Sequence, residues 1–543
     1  MHCPHADRCP GCALIGVPYP AQLEHKQQSV ASALAPYPEL ARAELRATVP
    51  AEPARGSRER VRPGRSLGLF ERAAHKVVDI PECLVLRPSL KRVAGVVRTL
   101  LPELGGASSV DLRETDQGVL VTLALPDTTP AVERERVAEL VARASSEIAS
   151  VAISRREQDS PRVLGTAPEV LRGASETRHT FETGAPWHYA SPGAFTQAHA
   201  GQAARLQRAI QAELGESLGG RRVLELYAGS GALGLRLAQA GAELTLVENF
   251  PPAVERATRA AEAQGLRLRA ITSDAAHSLS RLAGERFDAV IVNPPRRGLD
   301  PNVRRGVAEL GPARLLYVSC EPRTLARDAA HLALLGYELV QATPLDMIPL
   351  SDAVETLAVF RAAPPPPARV LLDDPAFLAV EKVAHEPPAN EPSGIALFAR
   401  TPAQAPALAA ALAQAHSEYR VLARGVVRPR GNLGAAPQQP AARGRTRYER
   451  EAVVAGHSLI RVVSEGEHPA SIQRALARIG HPVLGDDRHG DRRSNAHFEH
   501  RHALDRAFFH RTRLDFTWNG QPVALRSELA PDLAGVLAEL TAR

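Results

Sequence analysis

The sequence predicts an α/β protein: an open, Rossmann-like nucleotide-binding sheet, with smaller domains before it and a separate α+β domain after it. Three observations carry that expectation. A strand, a glycine-rich turn and a helix follow one another from Val223 to Ala240, the arrangement that holds a nucleotide in doubly wound folds. An apolar run, Ala313 to Val318, reads as a buried strand that brings Cys320 to its C-terminal end just before Pro322, where open sheets hold their ligands. A stiff Ala-Ala-Pro-Pro-Pro-Pro stretch from Ala362 to Pro367 then sets off a further domain. The expected division is a cysteine-bearing region over 1–90, a small α/β domain over 91–180, the nucleotide-binding domain over 181–362, a linker over 363–368 and the last domain over 369–543.

At 543 residues the chain is too long for one hydrophobic core. Its 44% hydrophobic and 23% charged residues are those of a soluble globular protein. A formal charge of +6 favours an anionic partner. The N-terminus, MHCPHADRCPGC, has neither the basic nor the apolar region of a signal peptide, and no uncharged apolar run is long enough to span a membrane. These features place the protein in the cytoplasm with no membrane partner. There, an odd count of five cysteines is not expected to form stable disulfides.

Cys3, Cys9 and Cys12 form a C-x5-C-x2-C cluster, and Cys83 supplies a possible fourth thiolate from a distant loop. Zinc and an iron–sulfur cluster both accept all-cysteine shells, and spacing alone does not choose between them. Arg58 to Arg65 is basic and precedes a strand-like Ser66 to Phe70, a pattern that suits phosphates. Val110–Leu112, Val119–Leu125 and Val151–Ser154 read as strands, and Ala131 to Ile148 has helical periodicity.

The nucleotide half is sharper. Val223 to Tyr227 is a strand, and the turn Gly229-x-Gly231-x-x-Gly234 leads into a helix. The next strand, Leu244 to Val247, ends at Glu248, where a carboxylate can take two ribose hydroxyls. The same spacing satisfies the dinucleotide fingerprint, so it does not separate NAD from S-adenosylmethionine. The discriminating segment is Asn293-Pro294-Pro295-Arg296-Arg297-Gly298 at the end of the fourth strand. Its prolines remove backbone donors and stiffen the loop, leaving carbonyls and the Asn293 amide to face a planar nitrogenous base. A lone cysteine is ordinarily a small buried hydrophobe. At a sheet's ligand edge beside Arg323 and Arg327, Cys320 becomes a candidate nucleophile, because nearby cations favour its thiolate.

With these segments in view, Met1 to Phe360 resembles the bacterial RNA uracil-C5 methyltransferases, and among them the iron–sulfur group acting on 23S ribosomal RNA. The resemblance rests on Cys3, Cys9, Cys12 and Cys83, on Phe195-Thr196-Gln197, on LYAGSG, on NPPRRG, on SCEPRTLARD and on Glu355. It implies a methyltransferase sheet using S-adenosylmethionine, with Gln197, Tyr227, Gly229, Gly231, Glu248, Asp274 and Asn293 at the cofactor. It also implies a [4Fe-4S] cluster on the four N-terminal cysteines, Cys320 as the nucleophile adding to uracil carbon 6, and Glu355 as the base removing the carbon 5 proton. Where that family carries a histidine two residues before the glutamate, this chain has Ala353. RNA is the implied partner, 23S rRNA before tRNA, with the small domain over 91–180 expected to bind it, and the target base must be splayed out of its stack. The protein is expected to act as a monomer.

Arg369 to Leu540 resembles the large-subunit type of pseudouridine synthase, an α+β fold, through Ser393-Gly394, Tyr419, Ile479 to Asp487 and Phe508-Phe509-His510. The family's nucleophilic aspartate falls on Ala389, and its second signature on Glu467 to Gln473 without the arginines. A methyl group cannot attack a ribosyl carbon, so isomerase activity is not expected. RNA binding is, helped by the basic stretch Arg424 to Arg450. Two other readings compete: an RNA-binding pseudoenzyme, and a nicotinamide oxidoreductase supported by the glycine fingerprint alone.

Overall fold

The computed structural model describes residues 3–54, 60–61, 68–70, 77–157, 160, 164–165, 167–382, 392–433, 446–466 and 468–541. The basic stretch Arg58–Arg65, Ala389, Glu467 and the middle of the Arg424–Arg450 stretch lie wholly or mostly outside these residues.

The organising element is an eight-stranded sheet. Its strands are β1 (Glu44–Leu45), β2 (Arg222–Leu226), β3 (Glu243–Glu248), β4 (Leu268–Thr272), β5 (Ala289–Val292), β6 (Arg314–Ser319), β7 (Tyr337–Leu345) and β8 (Glu355–Ala362). Their order across the sheet is β1-β7-β8-β6-β5-β2-β3-β4. All neighbouring pairs are parallel except those made by β8, which runs antiparallel to both β6 and β7. The central strands are short and mostly apolar, as strands covered on both faces are, with Glu225 and Thr245 the buried polar residues of β2 and β3. On one face Leu224, Val290, Leu315 and Tyr317 pack with α1 (Tyr19–Leu34) and α2 (Pro322–Leu334) through Val30, Leu34, Leu325 and Ala329. On the other, Val223, Ile291, Leu316 and Val318 meet Leu206 and Ile210 of the helix Ala200–Leu214.

The segment before the small domain therefore belongs partly to this sheet. Residues 1–90 were expected to form a region of their own, yet α1 covers the sheet and β1 adds an edge strand to it. The small domain is a five-stranded sheet whose core includes Leu112, Val121, Val151 and the helices Pro88–Leu100 and Ala131–Arg143. The helix expected to reach Ile148 stops at Arg143, and Ile148 opens the strand Ile148–Arg156. Ser145 explains the break: its hydroxyl accepts the Glu147 N–H at 3.2 Å, a local bond that competes with the helix.

Beyond the proline linker, Val370–Asp373 and Phe377–Lys382 form the expected hairpin at one end of a nine-stranded mixed sheet. The helix Pro469–Arg478 packs on its Tyr419, Ile460 and Val462 face. α3 (Arg492–His502) and the last helix, Pro531–Thr541, close a second core around Phe498, Phe508 and Leu533.

This domain is seated on α2 by charges withdrawn from water. Arg304, at 0% side-chain exposure, donates to Asp328 at 2.9 Å and to Asp505 at 2.5 Å. Arg327 donates to Asp328 at 2.7 Å and to the Ala503 carbonyl at 3.0 Å, and lies 3.3 Å from Asp505. Two cations thus meet two anions, one of them contributed by the C-terminal domain. No helix among the described residues is long and apolar enough to cross a membrane.

Candidate active site

Strand register brings the site together. The last paired positions are Leu226 with Val247, Leu226 with Val292, Val292 with Tyr317, and Ser319 with Thr356. The residues that follow, Tyr227, Asn293 and Cys320, join Glu248 and the first residue of β8, Glu355, along one rim of the sheet. Cys320 and Glu355 are the next opposed positions beyond Ser319 and Thr356 on antiparallel strands, and directly opposed residues hold their Cβ atoms roughly 5 Å apart. The NPPRRG loop, Tyr227 and the Cys320–Glu355 pair therefore share the carboxyl edge that the sequence pointed to.

The glycine turn is built by two carboxylates. Glu248 accepts the Gly229 N–H at 3.0 Å and the Phe250 N–H at 2.9 Å. Each oxygen keeps a further lone pair, so a ribose diol remains within its capacity. The second carboxylate, Glu225, escaped the sequence reading. It is buried inside β2 and accepts the Gly234 N–H at 3.1 Å. A Cβ on Gly234 would stand 2.2 Å from Glu225 Oε2, which is why a glycine opens that helix. Burial pushes the Glu225 carboxyl up to about 8. The signal was present as one acid within an apolar strand. Tyr227 is held at φ 60°, a conformation a residue with a Cβ rarely adopts and one that clusters at ligand sites.

The NPPRRG loop is fastened from α2. Thr324 Oγ1 donates to the Arg296 carbonyl at 3.1 Å, and Arg327 Nη2 to the Arg297 carbonyl at 2.9 Å. Gly298, at φ 79°, leaves the space this requires; a Cβ there would lie 2.5 Å from Asp328. These contacts correct the expectation that Arg323 and Arg327 favour the thiolate. Arg327 is buried in the domain contact, and Arg323 is engaged by Glu321 and Glu539. The cation whose charge favours both the Cys320 and the Glu355 anions is Arg296, in the loop itself.

Burial and the neighbouring Glu355 charge push the Cys320 thiol up to about 11, against Arg296. Burial pushes Glu355 up to about 7, again with Arg296 opposing. The loop that delivers Glu355 is moored to the N-terminal segment. Lys26, with no side-chain exposure, pairs with buried Asp346 and donates to the Ile348 carbonyl at 3.0 Å. Tyr19 donates to the other Asp346 oxygen at 2.7 Å. Leu14 N–H donates to the carbonyl of Leu350, a residue at φ 66°. Ala353 is half-buried in this loop.

The remaining expected residues fall elsewhere. Gln197 is buried in the loop before the helix Ala200–Leu214, which donates Gln202 Nε2 to the Asp346 carbonyl at 3.1 Å. Asp274, past the end of β4, caps the helix Ala275–Arg281 by accepting the His277 N–H at 2.9 Å. Cys3, Cys9, Cys12 and Cys83 line one small cavity with Ile15 and Ile80. Among the described residues no three His, Cys, Asp or Glu side chains converge on a single-ion site.

A family model described as "Methyltransferase small domain" matches residues 187–307. Over 385 residues the chain is 32% identical to an uncharacterized RNA methyltransferase of Geobacter sulfurreducens, covering 66% of this chain and 76% of the relative. Over 372 residues it is 32% identical to the 23S rRNA (uracil(1939)-C(5))-methyltransferase of Pseudomonas aeruginosa, covering 66% of this chain and 80% of the relative. Among solved structures, the tRNA (uracil-54, C5)-methyltransferase of Pyrococcus abyssi in complex with S-adenosyl-L-homocysteine superposes with a TM-score of 0.52 at 24% identity, over 65% of this chain and 86% of that one. That last likeness is one of fold.

Proposed function

We infer, from the premise that this chain belongs to the RNA uracil-C5 methyltransferase family, that it methylates carbon 5 of a uracil in RNA. The observation that carries the reading is the opposition of Cys320 and Glu355 across the ends of β6 and β8, beside the NPPRRG loop. S-adenosylmethionine, when bound, supplies an electrophilic methyl group. Tyr227, Gly229, Gly231, Glu248 and Asn293 would hold it at the rim and its glycine turn, with Gln197 and Asp274 contributing from the flanking loops.

The chain's own residues account for the rest of the reaction. Carbon 5 of uracil is a poor nucleophile, and covalent addition splits the difficult substitution into easier steps. The Cys320 thiolate bonds to carbon 6, the ring electrons move onto the carbon 4 oxygen, and carbon 5 becomes nucleophilic enough to take the methyl group. The Glu355 carboxylate then removes the carbon 5 proton. The freed electron pair restores the ring double bond and expels the thiolate, leaving Glu355 protonated. Arg296 stabilises the anions at both ends of this sequence. The uracil must leave its stack to reach the rim.

The RNA is 23S ribosomal RNA on this reading, supported by the Pseudomonas relative. Cys3, Cys9, Cys12 and Cys83 hold a [4Fe-4S] cluster, a reading supported by the family resemblance and by their lining one cavity together. Anaerobically purified protein should be brown and contain about four iron and four sulfide per chain. The C-terminal domain is a synthase-like fold that has lost its nucleophile and binds RNA. The deciding experiment maps 5-methyluridine in ribosomal and transfer RNA from cells with and without the gene. It is paired with Cys320→Ala, which should abolish the modification while leaving cofactor binding intact. A Cys320→Ala protein that still forms 5-methyluridine overturns the mechanism.

A further inference from the structure

The C-terminal domain presents one cationic face beside the catalytic loop. α3 buries Phe498 and His502 and turns Arg492, Arg493, His497, His500 and Arg501 to solvent, a stripe at helical spacing. Its end abuts the active-site machinery: Ala503, whose N–H caps it by donating to the Phe498 carbonyl, accepts Arg327 Nη1 on its own carbonyl at 3.0 Å, and Glu499 lies 3.9 Å from Arg297 of the NPPRRG loop. Arg424 extends the stripe at the other end, donating to Ser494 at 3.0 Å.

The acids near this face are already engaged. Asp491 caps α3 by accepting the Ser494 N–H at 2.8 Å and sits 3.7 Å from Arg424, while Glu499 faces Arg297. Asp487 lies at the domain seam with Asp300 and Asp505, and burial, then the charges of Asp486, Asp300 and Asp505, raises its carboxyl. Arg493 adds its charge to the field at Asp491, and its guanidinium, like those of Arg492 and Arg501, is exposed to solvent. The Arg304–Asp328–Arg327–Asp505 quartet holds their scaffold against α2, two residues past Cys320, so the stripe stands in a fixed relation to the nucleophile.

We propose that the outer face of α3 is a phosphate-binding rail for RNA, seating the backbone of nucleotides that flank the target uracil while the catalytic rim holds the base. The proposal rests on the uracil-methylating reading and deepens it, moving the RNA contact of the C-terminal domain from the Arg424–Arg450 stretch to this helix. Backbone contacts position a substrate without reading its sequence. The rail therefore acts on RNA affinity and leaves the chemical step alone.

The test uses the full-length protein with unmodified 23S rRNA and follows 5-methyluridine formation as salt is varied. Arg492→Glu with Arg493→Glu and Arg501→Glu should raise the KM for RNA at least tenfold at low salt. The slope of log KM against log salt should fall by about two to three, as expected for three lost phosphate contacts. The kcat at saturating RNA and S-adenosylmethionine affinity should stay within twofold. The neutral Gln triple should move KM in the same direction by less. Reversing Arg143 and Arg267, exposed arginines of other domains, should change nothing. An unchanged KM and salt slope in the Glu triple overturns the rail, as does a loss confined to kcat. Wild-type protein that methylates no uracil would instead sink the reading beneath it, and that control is measured first.

Discussion

A base that must take a proton near neutral pH needs a proton affinity close to neutral, and burial alone brings Glu355 to about 7. Release of methylated RNA should therefore fall about tenfold per pH unit below pH 7, read by single-turnover quench. Glu355→Gln should abolish that limb and accumulate a denaturant-stable protein–RNA adduct, because the thiolate cannot leave before the carbon 5 proton does. Cys320, pushed up to about 11, adds a demand in the same direction at higher pH: adduct formation should rise with pH from 7 to 10. Glu225 offers a test through stability. Its folded carboxyl, at about 8, stands above the ordinary value of 4.5, so the folded state binds more protons than the unfolded one between those values. Its contribution is complete below about pH 4.5 and is lost as pH rises through 8. Glu225→Gln should therefore gain on wild type in urea unfolding as pH goes from 5 to 9. At this scale the meeting of Cys320 and Glu355 at the sheet rim was legible from motif position. Arg296 was in plain view but passed over, because sequence neighbours of Cys320, such as Arg323, were taken for its spatial ones.

The loop Asp346–Val354 shows how a short element depends on distant chain. Its bonds to Tyr19, Lys26 and Leu14 give Glu355 its place at the start of β8. Lys26→Met should slow proton removal specifically: adduct builds up, while cofactor and RNA affinity remain near wild type. Tyr19→Phe, which loses one hydroxyl, should do the same more mildly. Normal adduct turnover in both would assign the pair to stability alone. None of this could be read from sequence, since Lys26 and Asp346 are 320 positions apart and neither sits in a recognisable pattern. Strands β2, β3, β5 and β6 could be read, because their apolar runs lead to the glycine turn, Glu248, Asn293 and Cys320 at the ligand edge. The short β1 could not; two residues carry no periodicity, and their place is decided by β7.

For the molecule as a whole, the decisive feature is the quartet between the two halves. Asp505→Ala would leave Arg304 and Arg327 sharing Asp328 alone in a dry interface, and removing one partner of a buried ion pair costs about 3–5 kcal/mol. Thermal unfolding of the full chain should show that loss, whereas Glu338→Ala on β7, which breaks a solvent-accessible ion pair with exposed Arg361, should cost under about 1 kcal/mol. Deleting the C-terminal domain is for the same reason not a neutral truncation. During synthesis the ribosome delivers both arginines and Asp328 well before Asp505. At about 5–20 residues per second the nascent catalytic half waits roughly ten to thirty seconds with one positive charge uncompensated. The extension is thus the last-made counter-ion of the enzyme it follows, and a chain that stops early should be short-lived before it is ever inactive.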